Sequence, residues 1–318
     1  MREERGGAVR PRLVLILSEN WTFVPARDLG ALVRIAAEAE GAGFDAVMTS
    51  EHVVLGPDAD SSGVPENPRD YALPGNQDPS TPWPDPLTLL AAVAGVTTRV
   101  RLVASSIIAP LRHPVLLAKQ LATLDLLSEG RLVVQPTVSW HRAEYESLGV
   151  AFEDRGDLLD EHLAAWRALW HESPASFEGR HYRFADVFLE PKPLREQGPA
   201  LWFGGEKMHE RLLRRLADYG SGFNPLGTPS DEDIERLRSA MVAAGRDMAE
   251  LEMVGGTRGR FADSDGVADL GEALSSIPSQ LERGFTTICI KPSQFIDDPD
   301  EIGPFCRDVV QRVDALAG

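Results

Sequence analysis

Short apolar runs alternate along the chain with longer segments in which apolar residues recur every three or four positions. Each of the short runs is continuously apolar at its centre, which is typical of parallel strands covered on both faces. The pattern therefore predicts eight strands, at residues 12–17, 44–50, 100–107, 131–135, 200–205, 220–225, 251–256 and 285–291.

The longer segments between these runs predict helices. The clearest one follows Asp28, whose carboxylate can cap a helix start, and ends near Gly41 and Gly43, which can terminate it. Its apolar residues fall on one face, as expected of a helix that packs against a sheet. The predicted helices cover residues 28–42, 114–127, 154–170, 206–219, 231–244, 270–283 and 300–316.

The alternation of strand and helix predicts a (β/α)8 TIM barrel, an α/β fold, formed by one domain over residues 1–318. The alternative is an open, doubly wound sheet in two domains. No linker rich in proline, glycine or serine divides the chain into halves, and no internal repeat is visible. The number of strand–helix units therefore favours the barrel.

Two connections are too long for a bare barrel. Residues 53–85, after the second strand, are rich in proline and glycine, and a loop of this length is typical of a lid or a disordered segment. Residues 171–199, before the fifth strand, contain FEGRHYRF and FLEPKPL, which predict a small hairpin and an extended arm. We expect a lid after strand 2 and an insertion before strand 5.

Composition and charge narrow the class of partner. The 318 residues are 43% hydrophobic and carry a net charge of −17, which disfavours nucleic acid and anionic membranes as partners. Cys289 and Cys306 lack metal or redox spacing, so buried free thiols in a reducing cytoplasm are expected. The N-terminus has no apolar signal core, and no run approaches the ~20 apolar residues of a membrane span. These features predict a soluble, cytoplasmic protein.

Polar residues cluster at the predicted strand ends. In a barrel of this kind the C-terminal strand ends form one mouth, where the chemistry takes place. The fourth strand stops at Pro136 and is followed at once by hydroxyls, an aromatic ring and an imidazole. The strand-end residues are Ser18–Glu19–Asn20, Ser50–Glu51–His52, Ser105–Ser106–Ile107, Thr137 to His141, Gly204 to Lys207, Asn224, Thr257–Arg258 and Lys291.

The residues of this mouth bear on several chemistries. A metal hydrolase would need His-x-His after strand 1, which ends instead in Ser-Glu-Asn, so no catalytic metal is predicted. Lys291 is a candidate for a Schiff base, for holding an anion or for a surface ion pair. Gly204 and Gly205 could receive a phosphate at a helix start or serve a plain strand-to-helix turn. The run VGGTRGRF lacks the spacing of a dinucleotide-binding loop.

The motifs resemble those of the luciferase-like monooxygenase superfamily, and most closely its branch of oxidoreductases that use the deazaflavin coenzyme F420. The matching segments are AAEAEGAGFDAVMTSEHV, DPLTLLAAVAGVTTRVRL, APLRHPVLLAKQLATLDLLSEGRL, SWHRAEYESLGVAFEDRGDLLDEHL, YRFADVFLEPKP and LWFGG. They span roughly residues 12 to 225. The chain departs from the common glycine-rich GVGxGW after strand 4, where it has QPTVSW, and from ADGW, where it has ADYGSGF.

The resemblance implies a flavin or deazaflavin ring at the barrel mouth. It implies His52 beside the ring and a bulge at Ser106 and Ile107 behind it, a place where the family often has a non-prolyl cis peptide. The same resemblance implies a ring edge lined by Thr137, Ser139 and Trp140, and a cofactor phosphate at Gly204 and Gly205 with Lys207 beside them.

The leading hypothesis is an F420-dependent oxidoreductase that transfers a hydride between the deazaflavin and a small organic substrate. His52 or Glu19 would handle the proton. One alternative is a monooxygenase that uses reduced FMN and oxygen, and another is a flavin-binding barrel without turnover. Aromatic residues of the mouth and lid favour an apolar or aromatic substrate. The resemblance also implies a homodimer.

Overall fold

The computed structural model describes residues 10–317, in which ten strands form a barrel and a separate hairpin. Eight strands close into a parallel barrel, and β5 pairs with β6 in an antiparallel hairpin. The strands are β1 Arg12–Ile16, β2 Ala46–Thr49, β3 Arg101–Ile108, β4 Leu132–Thr137, β5 Ala175–Glu178, β6 Arg183–Val187, β7 Ala200–Phe203, β8 Gly222–Phe223, β9 Glu252–Gly256 and β10 Thr287–Ile290. Around the barrel the order is β1-β10-β9-β8-β7-β4-β3-β2. The predicted barrel, its eight strands and the hairpin before the fifth barrel strand are confirmed.

Helices cover the outside of the barrel. They are α1 Leu29–Ala42, α2 Pro86–Ala94, α3 Pro114–Leu127, α4 Arg142–Ser147, α5 Arg155–His171, α6 Glu210–Tyr219, α7 Asp231–Ala243, α8 Leu270–Leu274, α9 Ile277–Glu282 and α10 Ile302–Ala317. The predicted caps of α1 are present: the Asp28 carboxylate accepts a hydrogen bond from Ala31 N, and Gly43 adopts a left-handed φ of 103°. None of these helices, within residues 10–317, is long and apolar enough to cross a membrane.

The structure changes two of the helix predictions and adds two helices. Residues 270–283 form two helices, because Pro278 has no N–H and its ring would clash with the carbonyl of Leu274, where α8 ends. The helix predicted from residue 206 begins at Glu210. The sequence analysis missed α2, in which nearly every residue is apolar so that no helical stripe stands out, and the short α4.

Alternate side chains of the barrel strands point into the lumen and form layers there. The middle layer is apolar and consists of Val14, Ile16, Ala46, Met48, Val103, Val133, Trp202, Val254 and Cys289. Residues of opposite parity, such as Leu13 and Leu15, belong to the larger core between strands and helices. Both cysteines are buried free thiols, as predicted. The lumen is therefore a packed core and not a channel.

A salt bridge closes the N-terminal end of the lumen. Arg101, the first residue of β3, reaches Glu252, the first residue of β9 on the opposite side of the barrel, through two hydrogen bonds of 2.6 Å. The Arg101 guanidinium lies 5.5 Å from the centre of the Trp202 ring, and Thr287 donates its hydroxyl to Glu252. Burial by itself raises the pKa of Glu252, but the hydrogen bonds and charge of Arg101 outweigh burial and hold that pKa below its ordinary value of 4.5. The pair thus joins opposite strands through a charge-assisted contact.

Replacing Glu252 by glutamine tests this contact. Glu252→Gln should lower the free energy of unfolding by roughly 2–3 kcal/mol at neutral pH, because Arg101 loses its counter-charge. The folded pKa of Glu252 is depressed, so its contribution is present above the unfolded pKa and disappears as pH falls through the folded pKa. The wild type should therefore lose more stability than the variant between about pH 5 and about pH 3. Denaturant unfolding at several pH values measures both effects.

The control is Glu235→Gln, which removes an exposed carboxylate paired with Arg238 on the outer surface. It should change stability by no more than about 0.5 kcal/mol. Equal stability of wild type and Glu252→Gln at neutral pH would contradict the assigned role.

Candidate functional site

Polar side chains form the top layer of the lumen, at the C-terminal ends of the strands. The hydroxyls of Ser18 and Ser50 are hydrogen-bonded to each other at 2.8 Å. Ser105 donates to Gln135 Oε1 at 2.8 Å, and the Asn224 amide donates to the same Gln135 oxygen at 2.8 Å. Lys291, two residues beyond the lumen-facing Cys289, belongs to this layer and is 1% exposed. The strand-end residues singled out in the sequence thus do meet at one mouth.

A bulge in β3 lies at this mouth. The pairing of β3 with β4 shifts between Ser105 and Ile107, so that Ser106 is the extra residue. The peptide bond between Ser105 and Ser106 is cis. The bulge therefore lies at the position that the family resemblance implied.

Glu51 fixes the chain that follows the bulge. Its carboxylate is buried and accepts hydrogen bonds from Ile108 N, at 2.7 Å, and from the guanidinium of Arg112. Hydrogen bonds to a buried carboxylate satisfy acceptors that would otherwise destabilise the fold. Glu51 is thus a positioning residue. Its place beside His52 in the sequence is the one local sign of that role.

His52 is held by a fully buried carboxylate, that of Glu144 in α4. His52 Nδ1 lies 3.2 Å from Glu144 Oε1, which also accepts a hydrogen bond from Val53 N at 2.8 Å. Ser139 donates its hydroxyl to Glu144 Oε2 at 2.7 Å. Because an ionised carboxylate only accepts, His52 Nδ1 carries the hydrogen and Nε2 is left for other partners. The Glu144 side chain is 0% exposed and that of His52 is 9% exposed.

Two tryptophans flank His52. The rings of Trp83, from the lid segment, and Trp140, from the loop after β4, lie 5.2 and 5.9 Å from the imidazole centre. His141 is buried and accepts a hydrogen bond from Gly56 N at 2.6 Å, so it anchors the start of the lid segment. A side chain at position 56 would collide with Ala143, which explains the glycine. The structure therefore brings together Ser139, Trp140 and His52, and Thr137 ends β4 beside them.

The lid segment, residues 53–85, contains no helix or strand and crosses the mouth. Polar contacts tie it to the loops that follow β9 and β10. Tyr71 packs on the lumen core and directs its hydroxyl to Thr257 O at 3.4 Å. The tying contacts are Asn67 Nδ2 to the carbonyls of Asp263 and Gly266, Arg69 Nε to Asp297 Oδ1, and Arg258 Nη2 to Asp70 Oδ2.

Glu19 lies apart from His52. It follows β1 with a left-handed φ of 63°, and its carbonyl accepts a hydrogen bond from Ser293 Oγ at 3.3 Å, in the loop after β10. Its charge acts on Lys291 and Tyr71. Glu19 therefore belongs to the β10 side of the mouth. The two residues predicted to handle protons do not form a dyad.

The glycines after β7 lie in the loop that connects β7 to α6. A Cβ at Gly204 would collide with the carbonyl of Asn224, so this glycine is required by the close approach of the ends of β7 and β8. Helix α6 starts only at Glu210, with His209 as its cap, so neither glycine is at the helix N-terminus. Lys207 is exposed in the intervening loop. The close approach of the two strand ends explains Gly204, while a Cβ at Gly205 would make only ordinary contacts, 3.9 Å from Leu212 Cδ2.

A basic pocket of about 240 Å³ lies between the starts of α5 and α6. Arg155 donates Nη1 to Phe152 O at 2.8 Å and its guanidinium lies 3.8 Å from the centre of the Phe152 ring, while its Nε is buried without a hydrogen-bond partner among residues 10–317. The Arg211 guanidinium occupies the space that a Cβ at Gly156 would fill. The pocket is lined by Val138, Glu153, Arg155, Gly156, His209, Arg211 and Arg215. Sequence reasoning missed it, although the run HERLLRR in α6 carries much of its charge.

Positive side chains outnumber negative ones in the lining of this pocket, and Arg211 is paired with Asp157 at 2.8 Å. Burial lowers the pKa of His209, and the charges of Arg215 and Arg211 lower it further. Asp160 neutralises part of the cluster, because Arg215 Nε lies 2.7 Å from its Oδ1. Several guanidinium groups lining one pocket fit a phosphate or carboxylate group of a ligand. In residues 10–317 no group of three or more His, Cys, Asp or Glu side chains could hold a metal ion.

Comparison with known proteins places these features in a family. An uncharacterised protein of Mycobacterium tuberculosis is 36% identical over 165 residues, which cover 51% of this chain and 58% of that protein. The FMNH2-dependent dimethylsulfone monooxygenase of Pseudomonas putida is 26% identical over 205 residues, covering 63% of this chain and 55% of that enzyme. The matched region thus spans a little over half the length of these relatives.

The fold is also that of a solved enzyme. An F420-dependent secondary alcohol dehydrogenase, in complex with an F420-acetone adduct, superposes with a TM-score of 0.71 at 16% identity, covering 96% of this chain and 99% of that chain. The model of the luciferase-like monooxygenase family matches residues 12–269, which include seven of the eight barrel strands. The protein belongs to the luciferase-like monooxygenase family.

Proposed function

We propose that the protein is an oxidoreductase that binds coenzyme F420 at the barrel mouth and transfers a hydride between it and a small organic substrate. The basic pocket carries this proposal. Val138 lines the pocket and lies between Thr137 and Ser139, in the segment proposed to line the ring edge. A ring at the mouth could therefore extend an anionic arm towards Arg155 and Arg211.

The charge of the pocket favours F420 over FMN. FMN carries a single phosphate monoester, whereas F420 carries a phosphodiester followed by carboxylates. Three arginines, a histidine and one carboxylate, that of Glu153, line the pocket. Arginine is well suited to both phosphate and carboxylate groups. Gly205 and Lys207, which lie in the loop leading to His209, would contribute at the rim of this pocket.

The chain's own residues would orient the reactants and move a proton. When bound, the deazaflavin supplies or accepts the hydride. Glu144 holds His52 Nδ1, so Nε2 is the atom at which a substrate proton would be held or released. Ser106 and Ile107 would support the ring from the β3 side. Trp83, Trp140 and the lid would exclude water from the mouth.

A monooxygenase that uses reduced FMN and oxygen is the second candidate. The identity with the FMNH2-dependent dimethylsulfone monooxygenase favours it. The two candidates differ in the cofactor, so cofactor affinity distinguishes them.

Titration of the purified protein with F420 and with FMN, followed by cofactor fluorescence, tests the proposal. F420 should bind at least about tenfold more tightly than FMN. Arg155→Met and Arg211→Met should each weaken F420 binding roughly 10- to 100-fold, since each removes a charge-assisted hydrogen bond. Arg238→Met, on the outer face of α7, is the matched control and should bind as the wild type does. Tighter binding of FMN would favour the monooxygenase, and binding of neither cofactor would refute both candidates.

His52 and Glu144 should act as one unit. Anaerobic reoxidation of reduced F420 by an added quinone should fall roughly 10²- to 10⁴-fold in His52→Ala, while cofactor affinity changes little. Glu144→Gln should also slow this reaction, and the double variant should be no slower than His52→Ala because Glu144 acts through the imidazole. Glu146→Gln, an exposed change in the same helix, is the control. Additive losses in the double variant would show that Glu144 acts independently.

A further inference from the structure

Lys291 is the one charged member of the top layer formed by Ser18, Ser50, Ser105, Gln135, Asn224 and itself. It continues β10 in extended conformation, with φ −99° and ψ 109°. Its side chain is 1% exposed. The sequence left open whether this lysine forms a surface ion pair, and its burial rules that out. A buried ammonium in a mainly uncharged layer needs a partner.

The partners of Lys291 within the protein are few. Nζ donates to the carbonyl of Asp70 at 3.0 Å and lies 5.3 Å from the centre of the Tyr71 ring. Among residues 10–317, no carboxylate oxygen lies within the 4.0 Å of a salt bridge to Nζ. An ammonium has three N–H groups, so two remain without a hydrogen bond from the described part of the chain.

The electrostatic surroundings agree with an incomplete site. Burial lowers the pKa of Lys291, and the negative charges of Glu19 and Asp70 oppose that shift without contacting Nζ directly. Asp70 is instead occupied by Arg258, at 2.8 Å. The Lys291 ammonium therefore has N–H groups available to donate to a negatively charged oxygen.

The lid controls access to this amine. Asp70 and Tyr71, which cover Lys291, belong to the lid segment. Arg258, which binds Asp70, is exposed, and exposed ion pairs contribute only about 0–1 kcal/mol. A small ligand would reach Lys291 only if Asp70 and Tyr71 moved aside together with the neighbouring contacts of Asn67 and Arg69.

We propose that Lys291 is the substrate-binding residue of the mouth and that it selects an organic substrate bearing a carboxylate. The proposal rests on the proposed function, because it names the class of substrate for the same mouth. The two N–H groups of Lys291 that lack partners would donate to the carboxylate oxygens. Tyr71 would pack against the apolar part of the substrate. The net charge of −17 repels anions from most of the surface, so this one amine would decide which anion is retained.

Benzoate and benzamide, titrated calorimetrically, test the proposal, because they share a shape and differ in charge. The wild-type protein loaded with its cofactor should bind benzoate at least about tenfold more tightly than benzamide, as a charge-assisted contact requires. Lys291→Met and Lys291→Gln should bring the ratio of the two affinities close to one. The glutamine variant keeps a donor for the Asp70 carbonyl, so it separates the charge from the lid contact.

Lys119→Met is the matched control, since Lys119 also donates to a single main-chain carbonyl, that of Glu190, but on the outside of the barrel. It should keep the wild-type preference for benzoate. A lysine that only latches the lid would, when replaced, weaken both ligands equally and leave the ratio unchanged. That result, or a wild type that does not prefer benzoate, would overturn the proposal.

The same titrations without cofactor separate this proposal from the proposed function. A preference for benzoate in a protein that binds neither F420 nor FMN would support the carboxylate site and refute the oxidoreductase. Tight F420 binding without any preference for benzoate would support the proposed cofactor and refute the carboxylate site at Lys291.

Discussion

Closure of eight parallel strands into a barrel is the constraint on which the rest of this structure depends. Closure sends alternate side chains of every strand into a single lumen, so each layer brings together residues that are far apart in the chain. Arg101 and Glu252 meet at the N-terminal end, and an apolar layer fills the middle. The top layer is left for polar groups, among them Lys291. The candidate site is this layer together with the loops above it.

Buried carboxylates fix the conformation of the loops above the barrel. Glu144 accepts hydrogen bonds from the segments that follow β2 and β4, and Glu51 accepts them from the segment that follows β3. A buried carboxylate is tolerated only when its oxygens have donors, so each one selects a single arrangement of the surrounding main chain. The orientation of His52 is a consequence of that selection.

For the binding of the proposed anionic ligands, the local charge of the mouth matters more than the net charge of the chain. The chain is acidic overall, yet Arg155, Arg211 and Arg215 line one pocket. Lys291 is buried separately, at the end of β10. The proposed cofactor arm and the proposed substrate carboxylate would use these separate positive sites. An acidic surface around them would disfavour other anions through long-range repulsion.

Apolar runs and short-range caps were enough to predict the eight strands, the barrel, the hairpin and the caps of α1, because these depend on residues close together in sequence. The residues of the mouth could be named for the same reason, since parallel strands end at one face. Glu144, 92 positions from His52, and the arginine pocket could not be predicted. Their roles arise from side chains that meet only after the barrel closes. The order of residues along the chain does not indicate which distant side chains will come into contact.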